Sequence, residues 1–514
     1  MSRAVTKTLS FPVAGIARRS NYRRQERPYA TPYALNVRGV GSLERRERGG
    51  SRPGLTKFCS TDFGASITAV DSVTAIDAAG ARQRYIVVVA GGVLYSVKGA
   101  VATELEADLL WPDGEVMWWD DGEAVVFDST VTDANPITDT GAHHTAEHGG
   151  KLYLADSTLS AYDPVEGVVS TISGAPTGLS LICSYRDRLI LSGTHLWYAS
   201  RAGDFTDWDT GQTMEDANRP IAGSVSFAGI IGQPIKAIIP YRDYALIFAC
   251  ENSLWVLIGD PATGTLKNLS SEVGIIAPNA WALSPNGILA FLSNDGIYVG
   301  GVTESPTRFS DEKVPNSLRE VDVSAIDVAM EYSMKERGFN LFAGADNCWF
   351  LDVENKAMWK DSYDTTHVPV ASALTDGGGL RQVILGCPDG YLRSYSESSK
   401  TDDSVVFHSK VVFGPFRIAP DDVRSAILTE IHGIMADNSG SVKWTVFLGD
   451  SAEAVADRSE SDTKSDSGGL WVRENNHVSR PRVRGAWCCI RLDSISLWSY
   501  ESIAIVARQL GRLR

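Results

Sequence analysis

The sequence predicts an all-β fold: a β-propeller of about seven blades, an arginine-rich amino-terminal arm and a carboxy-terminal β-sandwich-like module. Three observations predict it. Paired apolar runs joined by tight turns recur at blade-length intervals from about residue 62 to 400. Helical periodicity is scarce. The chain also carries 47 Gly, 13 Trp, 17 Tyr and 16 Phe, a composition of tight turns and aromatic strands.

The recurring unit is a short apolar run, a turn, and a second run with an aromatic. Its first clear copy spans residues 84–97, where Gly91-Gly92 separates two β-branched runs; both central residues of such a hairpin turn need positive φ. Copies follow at 121–127, 149–162, 185–198, 241–256, 285–299, 338–350 and 383–395. Tyr185-Arg186-Asp187 and Tyr241-Arg242-Asp243 open two of them in the same words. From Tyr185 the steps to Tyr241, Pro285, Gly338 and Val383 are 56, 44, 53 and 45 residues. A four-stranded blade takes roughly 40–50 residues, so each step suits one blade. A closed ring also leaves no sheet edge open to aggregation.

These features divide the chain into an arm (1–60), a propeller (61–400) and a carboxy-terminal β-module (401–514). Pro12, Pro28, Pro32 and Pro53 exclude a long helix from the arm. Tyr22, Tyr29, Tyr33 and Leu35 give it apolar anchors, so an extended arm packed on a neighbouring surface is expected rather than a free tail. In the module, the apolar runs at 405–413, 443–448, 470–472, 485–492 and 502–506 read as strands. The stretch from Asp450 to Gly469 reads as a mobile polar loop, and Asp128–His148 as a polar surface insertion. The best helical candidate is Asp322–Arg337, with only loose spacing.

With 514 residues, 43% hydrophobic and 22% charged, the chain is long enough for a large core and too apolar for disorder. No apolar run approaches the roughly 18–20 residues that a bilayer demands. The start, interrupted by Pro12 and Gly15 and followed by Arg18 and Arg19, does not read as a signal peptide. Synthesis in a cytoplasm is expected. The seven cysteines contain no CxxC pair, and several lie in apolar runs, so neither a disulfide framework nor a zinc site is expected.

Charge is unevenly placed. Residues 1–60 hold thirteen Lys and Arg against three Glu, a balance of +10. Residues 473–514 hold eight Arg against three acids, a balance of +5. The net charge of −15 therefore leaves about −30 on the middle. A nucleic-acid binder would show one broad basic face. Basic ends on an acidic body fit termini that dock and a body that repels DNA. Protein docking is the preferred reading of Arg18, Arg19, Arg23 and Arg24, although phosphate contact by such a run stays open.

No nucleophile elbow, phosphate-binding loop, HExxH or placed GxGxxG occurs, so neither a catalytic residue nor a cofactor is expected. The cluster His143-His144-Thr145-Ala146-Glu147-His148 would put His144 and His148 on one helical face. Gly149 and Gly150 break that helix, and the surface-loop reading is preferred to a metal site. Asp120, Asp121, Asp295 and Asp389 sit beside Gly or in turns, where a carboxylate caps backbone N–H groups. Trp111, Trp118 and Trp119 read as packing residues, with sugar stacking as the alternative.

Several phrases resemble the packaged-DNA stabilisation and tail-nozzle proteins of short-tailed phages. The clearest runs from Leu196 through Trp197, Tyr198, Ser200, Gly203, Asp204, Phe205 and Asp207 to Trp208 and Asp209. Others are spread over Ala237–Gly301. Others again are Arg482-Val483-Arg484-Gly485, Trp498-Ser499-Tyr500-Glu501 and the arm's Gly49-Gly50-Ser51-Arg52-Pro53-Gly54-Leu55. Together they touch about two-thirds of the chain. The resemblance implies a non-enzymatic virion protein of a phage tail, made in the host cytoplasm and inserted in no membrane. It would form a ring of identical subunits, usually six, docked on the portal, adaptor and other tail proteins. That ring would form or close the DNA exit conduit, with DNA passing without sequence-specific binding. Arg482, Arg484, Trp498 and Glu501 are then candidates for holding the platform together, with both chain ends close. A receptor- or glycan-binding propeller and a propeller glycoside hydrolase, which would need a pair of acids in its mouth, remain alternative readings.

Overall fold

The apolar runs pair as antiparallel sheets arranged in a ring. The computed structural model describes residues 4–18, 29–39, 49–98, 131–136, 144–156, 158–212, 215–223, 231–302, 305–310, 318, 321, 322, 327–377, 380–419, 424–437, 439–461, 464–472 and 477–512. Among these, six four-stranded sheets follow one another as blades 1 to 6, and a six-stranded sheet, extended by Thr401–Asp402 and Val405–Val406, forms blade 7. Their innermost strands are Ile67–Ile76, His144–His148, Leu181–Tyr185, Ile235–Tyr241, Trp281–Leu283, Val328–Ser333 and Ala371–Gly377, for blades 1 to 7. Blades 1 to 6 are simple meanders, each strand pairing with the next.

Blade 7 is different. Its first three strands are Ala371–Gly377, Leu380–Gly386 and Leu392–Ser396, and its fourth is Gly54–Lys57 from the start of the chain. The register runs from Arg393↔Lys57 to Ser396↔Gly54. The ring is thus closed by joining a strand from before blade 1 to one from its last blade. Residues 54–57 belong structurally to the propeller.

Local chemistry explains the blades. The hairpin at 91–92 has both glycines at positive φ, 57° and 76°, as does that at 149–150, with 60° and 78°. The second strands, such as Ala245–Cys250 and Leu289–Ser293, are buried throughout, because both their faces meet another blade.

Three expectations are corrected here. The segment from Asp128 to His148, expected as a surface loop, supplies strands at Val131–Pro136 and His144–His148. An inner propeller strand has one side on the channel, so His144–His148 needs few apolar residues and reads as polar. The candidate helix over Asp322–Arg337 instead holds Val328–Ser333, the inner strand of blade 6. The polar stretch after Asp450 contains a nine-residue helix, α1 (Ala452–Glu460). Its buried Ala452, Val455, Ala456 and Ser459 make an i, i+3, i+4, i+7 stripe of small residues, too weakly apolar to stand out in sequence.

Apart from the short pair Val37–Arg38 and Gly50–Ser51, the remaining strands form a two-sheet sandwich. The terminal sheet orders Ala4–Leu9, Tyr500–Arg512, Arg424–Met435 and His477–Ser479, with Val483–Gly485 also on Arg424–Met435. The helix-backed sheet orders Ala34–Leu35, Ser409–Arg417, Trp487–Ser494, Val442–Gly449 and Ser467–Trp471. Val411, Phe413, Trp444, Val446, Ile490 and Leu492 face the terminal sheet's Ile431, Ile503 and Ile505, whereas Val412, Phe447 and Cys489 pack under α1. One hydrophobic core continues from blades 4–6 through Phe11, Ile16 and Val37 into the sandwich. No helix among the described residues is long and apolar enough to cross a membrane.

Candidate assembly platform

The arm packs on its own chain, threading the sandwich before it reaches the propeller. Ala4–Leu9 pairs antiparallel with Tyr500–Arg512, from Ala4↔Arg508 to Leu9↔Ile503, so the two ends lie side by side. Phe11 then enters the core, its ring 5.9 Å from that of Trp359, 6.0 Å from Phe413 and 5.6 Å from Tyr500. Gly15, at φ 69°, rests on blade 6, where a Cβ would stand 2.6 Å from the Met358 carbonyl oxygen. Ala34 pairs with Val411 in the helix-backed sheet, and Val37–Arg38 pairs with Gly50–Ser51. Of the expected anchors, Tyr33 packs beside α1, Tyr29 is exposed, and Tyr22 lies outside the described residues.

Two arginines fix this thread. Arg52 is 0% exposed. Its guanidinium grips Asp402 at 2.9 and 2.5 Å, and donates to Asn36 Oδ1 at 2.9 Å and to the carbonyls of Pro53 and Ser362. The rings of Tyr363 and Phe407 sandwich it at 4.3 and 4.1 Å. Arg38 makes two 2.7 Å bonds to Asp361 and one of 3.1 Å to Glu336, over the Phe350 ring. Burial alone would weaken both charges, but the facing carboxylates outweigh it and hold both arginines above their ordinary pKa. These fork-on-carboxylate contacts tie arm, blade 6 and the 401–406 extension of blade 7 into one junction. In the sequence Arg52 stands out only within the Gly49–Leu55 phrase, and Arg38 carries no local signal.

The expected platform residues do not converge on one site. Trp498 is buried and donates from Nε1 to Ser409 Oγ at 2.7 Å, while its carbonyl accepts from the Ser51 N–H at 3.0 Å. It therefore seals the sandwich against the arm. Arg484 reaches Ser425 Oγ at 2.8 Å across the terminal sheet, and Arg18 forms an ion pair with Glu460 at the end of α1. Arg482 is exposed at φ 53°, and Glu501 is exposed on the last strand. Arg19, Arg23 and Arg24 lie outside the described residues.

Among the described residues, Ser467–Trp471 and His477–Ser479 are edge strands of the two sheets. Where Ser467–Trp471 approaches His477–Ser479, the Trp471 ring stacks on His477 at 6.3 Å and donates to Ser479 Oγ at 2.9 Å. Around that junction Leu470 and Val472 are each 58% exposed and Val478 is 51% exposed.

The histidine cluster has another role. His148 Nδ1 lies 2.8 Å from Ser184 Oγ and Nε2 lies 3.0 Å from Asp187 Oδ1, bridging blades 2 and 3. The repeated Tyr-Arg-Asp turns continue the pattern. Tyr185 donates to the Gly259 carbonyl at 2.8 Å and Arg186 to that of Asp243 at 2.7 Å. Tyr241 donates to the Gly287 carbonyl at 2.5 Å, and Arg242 to that of Pro285. A hydrogen-bonded belt therefore joins blades 2 to 5, and the Ser184–His148–Asp187 chain is its first link. His143, the acids at 120 and 121, and Trp111, Trp118 and Trp119 lie outside the described residues. Asp389 holds Arg393 at 2.7 and 2.6 Å, and Asp295 accepts from Tyr298 at 3.1 Å. No group of three metal-ligating side chains occurs among the described residues. All seven cysteines are buried free thiols, and burial pushes Cys183 and Cys348 well above the range in which a thiol is reactive.

Comparison with protein-family models finds no match, and comparison with curated proteins finds none either. Among solved structures, the WD40 β-propeller domain of Doa1 is similar at 10% identity and a TM-score of 0.39, over 67% of this chain and 97% of that one. A chain from a structure of the mitotic checkpoint complex is similar at 15% identity and a TM-score of 0.40, over 67% of this chain and 91% of its own.

Proposed function

We propose that this protein is a structural component of a phage tail, a nozzle or head-closure plug that assembles as a ring on the portal or adaptor. The observation that carries the proposal is the pairing of Ala4–Leu9 with Tyr500–Arg512 in one sandwich, with Leu470, Val472 and Val478 exposed near its edge strands. Residues 61–400, the propeller, hold 21 Lys and Arg against 45 acids, a balance of −24, whereas residues 401–514 are close to neutral. An acidic propeller does not retard passing DNA. The sequence phrases that resemble those of tail-nozzle proteins suggest the biological setting.

The test is the oligomeric state of the full-length chain by light scattering and electron microscopy, alone and with a portal ring. A closed ring is expected, and L470E/V472E/V478E should reduce it to monomers without loss of β-sheet signal. A chain that stays monomeric in both conditions overturns the proposal.

A further inference from the structure

The terminal sheet turns one face to the sandwich core and the other outward. Ile431, Ile503, Ile505 and Ala507 are buried in the core, so the alternate side chains of Arg424–Met435 and Tyr500–Arg512 form the outer face. The register sets these in rows. Arg484, Ile427, Arg508 and Ala4 are successive cross-strand partners over four strands. Glu430, Val506 and Thr6 make the next row, and Val478, His432, Ala504 and Thr8 the one after. This face is open to solvent: Ile434 is 36% exposed and Val478 51%.

Charge on the face is one-sided. Arg484 and Arg508 are both exposed and flank Ile427, two strand spacings or about 10 Å apart. Arg484 donates from Nε to Ser425 Oγ at 2.8 Å, and neither guanidinium meets a carboxylate among the described residues. Glu430, the acid in these rows, is already held by Arg480 at 3.4 Å and by His432 at 3.1 Å.

We propose that this arginine face docks on the acidic propeller of a second copy and is one half of the contact that closes the ring. The inference rests on the reading of the chain as a self-assembling ring. Two arginines that face no carboxylate call for an anionic partner, and residues 61–400, with a balance of −24, supply one on every copy. Ile427, Val506, Ile434 and Val478, set among the arginines, suit a protein surface, where guanidinium and apolar groups are buried together. A nucleic acid would engage the arginines and leave those side chains without a partner. No Phe, Tyr or Trp stands in the three rows to stack on a base. A contact between two different faces of one chain is heterologous, the kind that repeats around a ring instead of stopping at a dimer.

The experiment is sedimentation velocity of the full-length chain at about 50 and about 500 mM NaCl, where charge contacts differ most in screening. R484E/R508E is compared with K335E/R337E, which makes the same change in net charge on the propeller. Rings should form at low salt and dissociate at high salt. R484E/R508E should weaken assembly about tenfold or more while keeping the wild-type circular dichroism melt, and K335E/R337E should not weaken it. Rings of R484E/R508E as stable as those of the wild type overturn the inference, and so does equal weakening by K335E/R337E. If L470E/V472E/V478E still disperses the rings in that case, the ring reading itself stands. A wild-type chain that forms no ring, alone or on a portal ring, overturns both. Duplex DNA binding that R484E/R508E abolishes, with assembly unchanged, assigns the face to nucleic acid and overturns the inference.

Discussion

Arg52 ties the arm to the segments that follow blades 6 and 7. It belongs to the arm, bonds to a carboxylate 350 residues away, and is sandwiched between two aromatic rings. Replacing it with Met would leave Asp402 buried without its partner. R52M should cost about 3–5 kcal/mol, and adding D402N should recover part of that, because the stranded charge is then gone. Denaturant unfolding of both variants measures this, and a cost under about 1 kcal/mol would show that the junction is incidental. At this scale the sequence was only partly legible. Trp498 was singled out and is a buried seal, whereas Arg38 stands alone between Val37 and Gly39, and Arg52 is named only within the Gly49–Leu55 phrase. Nothing in their spacing reveals that Asp361 and Asp402 lie opposite them.

At the scale of the element, the arm behaves as two parts with different consequences. Ala4–Leu9 is an edge strand largely exposed to solvent, whereas residues 34–57 carry the arginine junction and the closing strand of blade 7. Deleting residues 1–10 should leave a folded protein with a modestly lower Tm. Deleting residues 1–60 should abolish cooperative unfolding and expose the Leu392–Ser396 edge, giving aggregation. Circular dichroism melts and size-exclusion chromatography distinguish these outcomes; a soluble, cooperatively folding protein lacking residues 1–60 would contradict the closure described above. Strand and turn signals were readable because they are local: Gly91-Gly92 and Gly149-Gly150 demand positive φ wherever the chain goes. Helix α1 was missed because its stripe of Ala, Val and Ser becomes a helix face only against the helix-backed sheet.

For the whole molecule, two acids that line the propeller channel, Asp71 and Glu331, set a pH dependence. Burial raises the Asp71 carboxyl to about 6 and the Glu331 carboxyl to about 7, the latter raised further by Asp71. In the unfolded chain both release their protons near pH 4, so between about pH 4 and 7 the folded state holds the extra protons. Stability should therefore fall as pH rises through that window, by on the order of 1–3 kcal/mol, and level off above it. E331Q should flatten the upper part of the slope. Thermal melts from acidic to mildly basic buffer check this, and a wild-type Tm that rises from pH 5 to 8 would contradict the placement of these acids.

The alternation of apolar runs, their turn residues and their spacing were sufficient to establish an all-β propeller of about seven blades with a β-module after it. Those signals arise within ten or so residues, where side-chain periodicity and φ preferences act directly. Three features emerged only when distant segments met: closure of blade 7 by residues 54–57, return of the arm onto its own sandwich, and convergence of Asp71 and Glu331 on one cavity. Each joins residues hundreds of positions apart, and burial between them, rather than any local preference, gives the charges and edges their meaning.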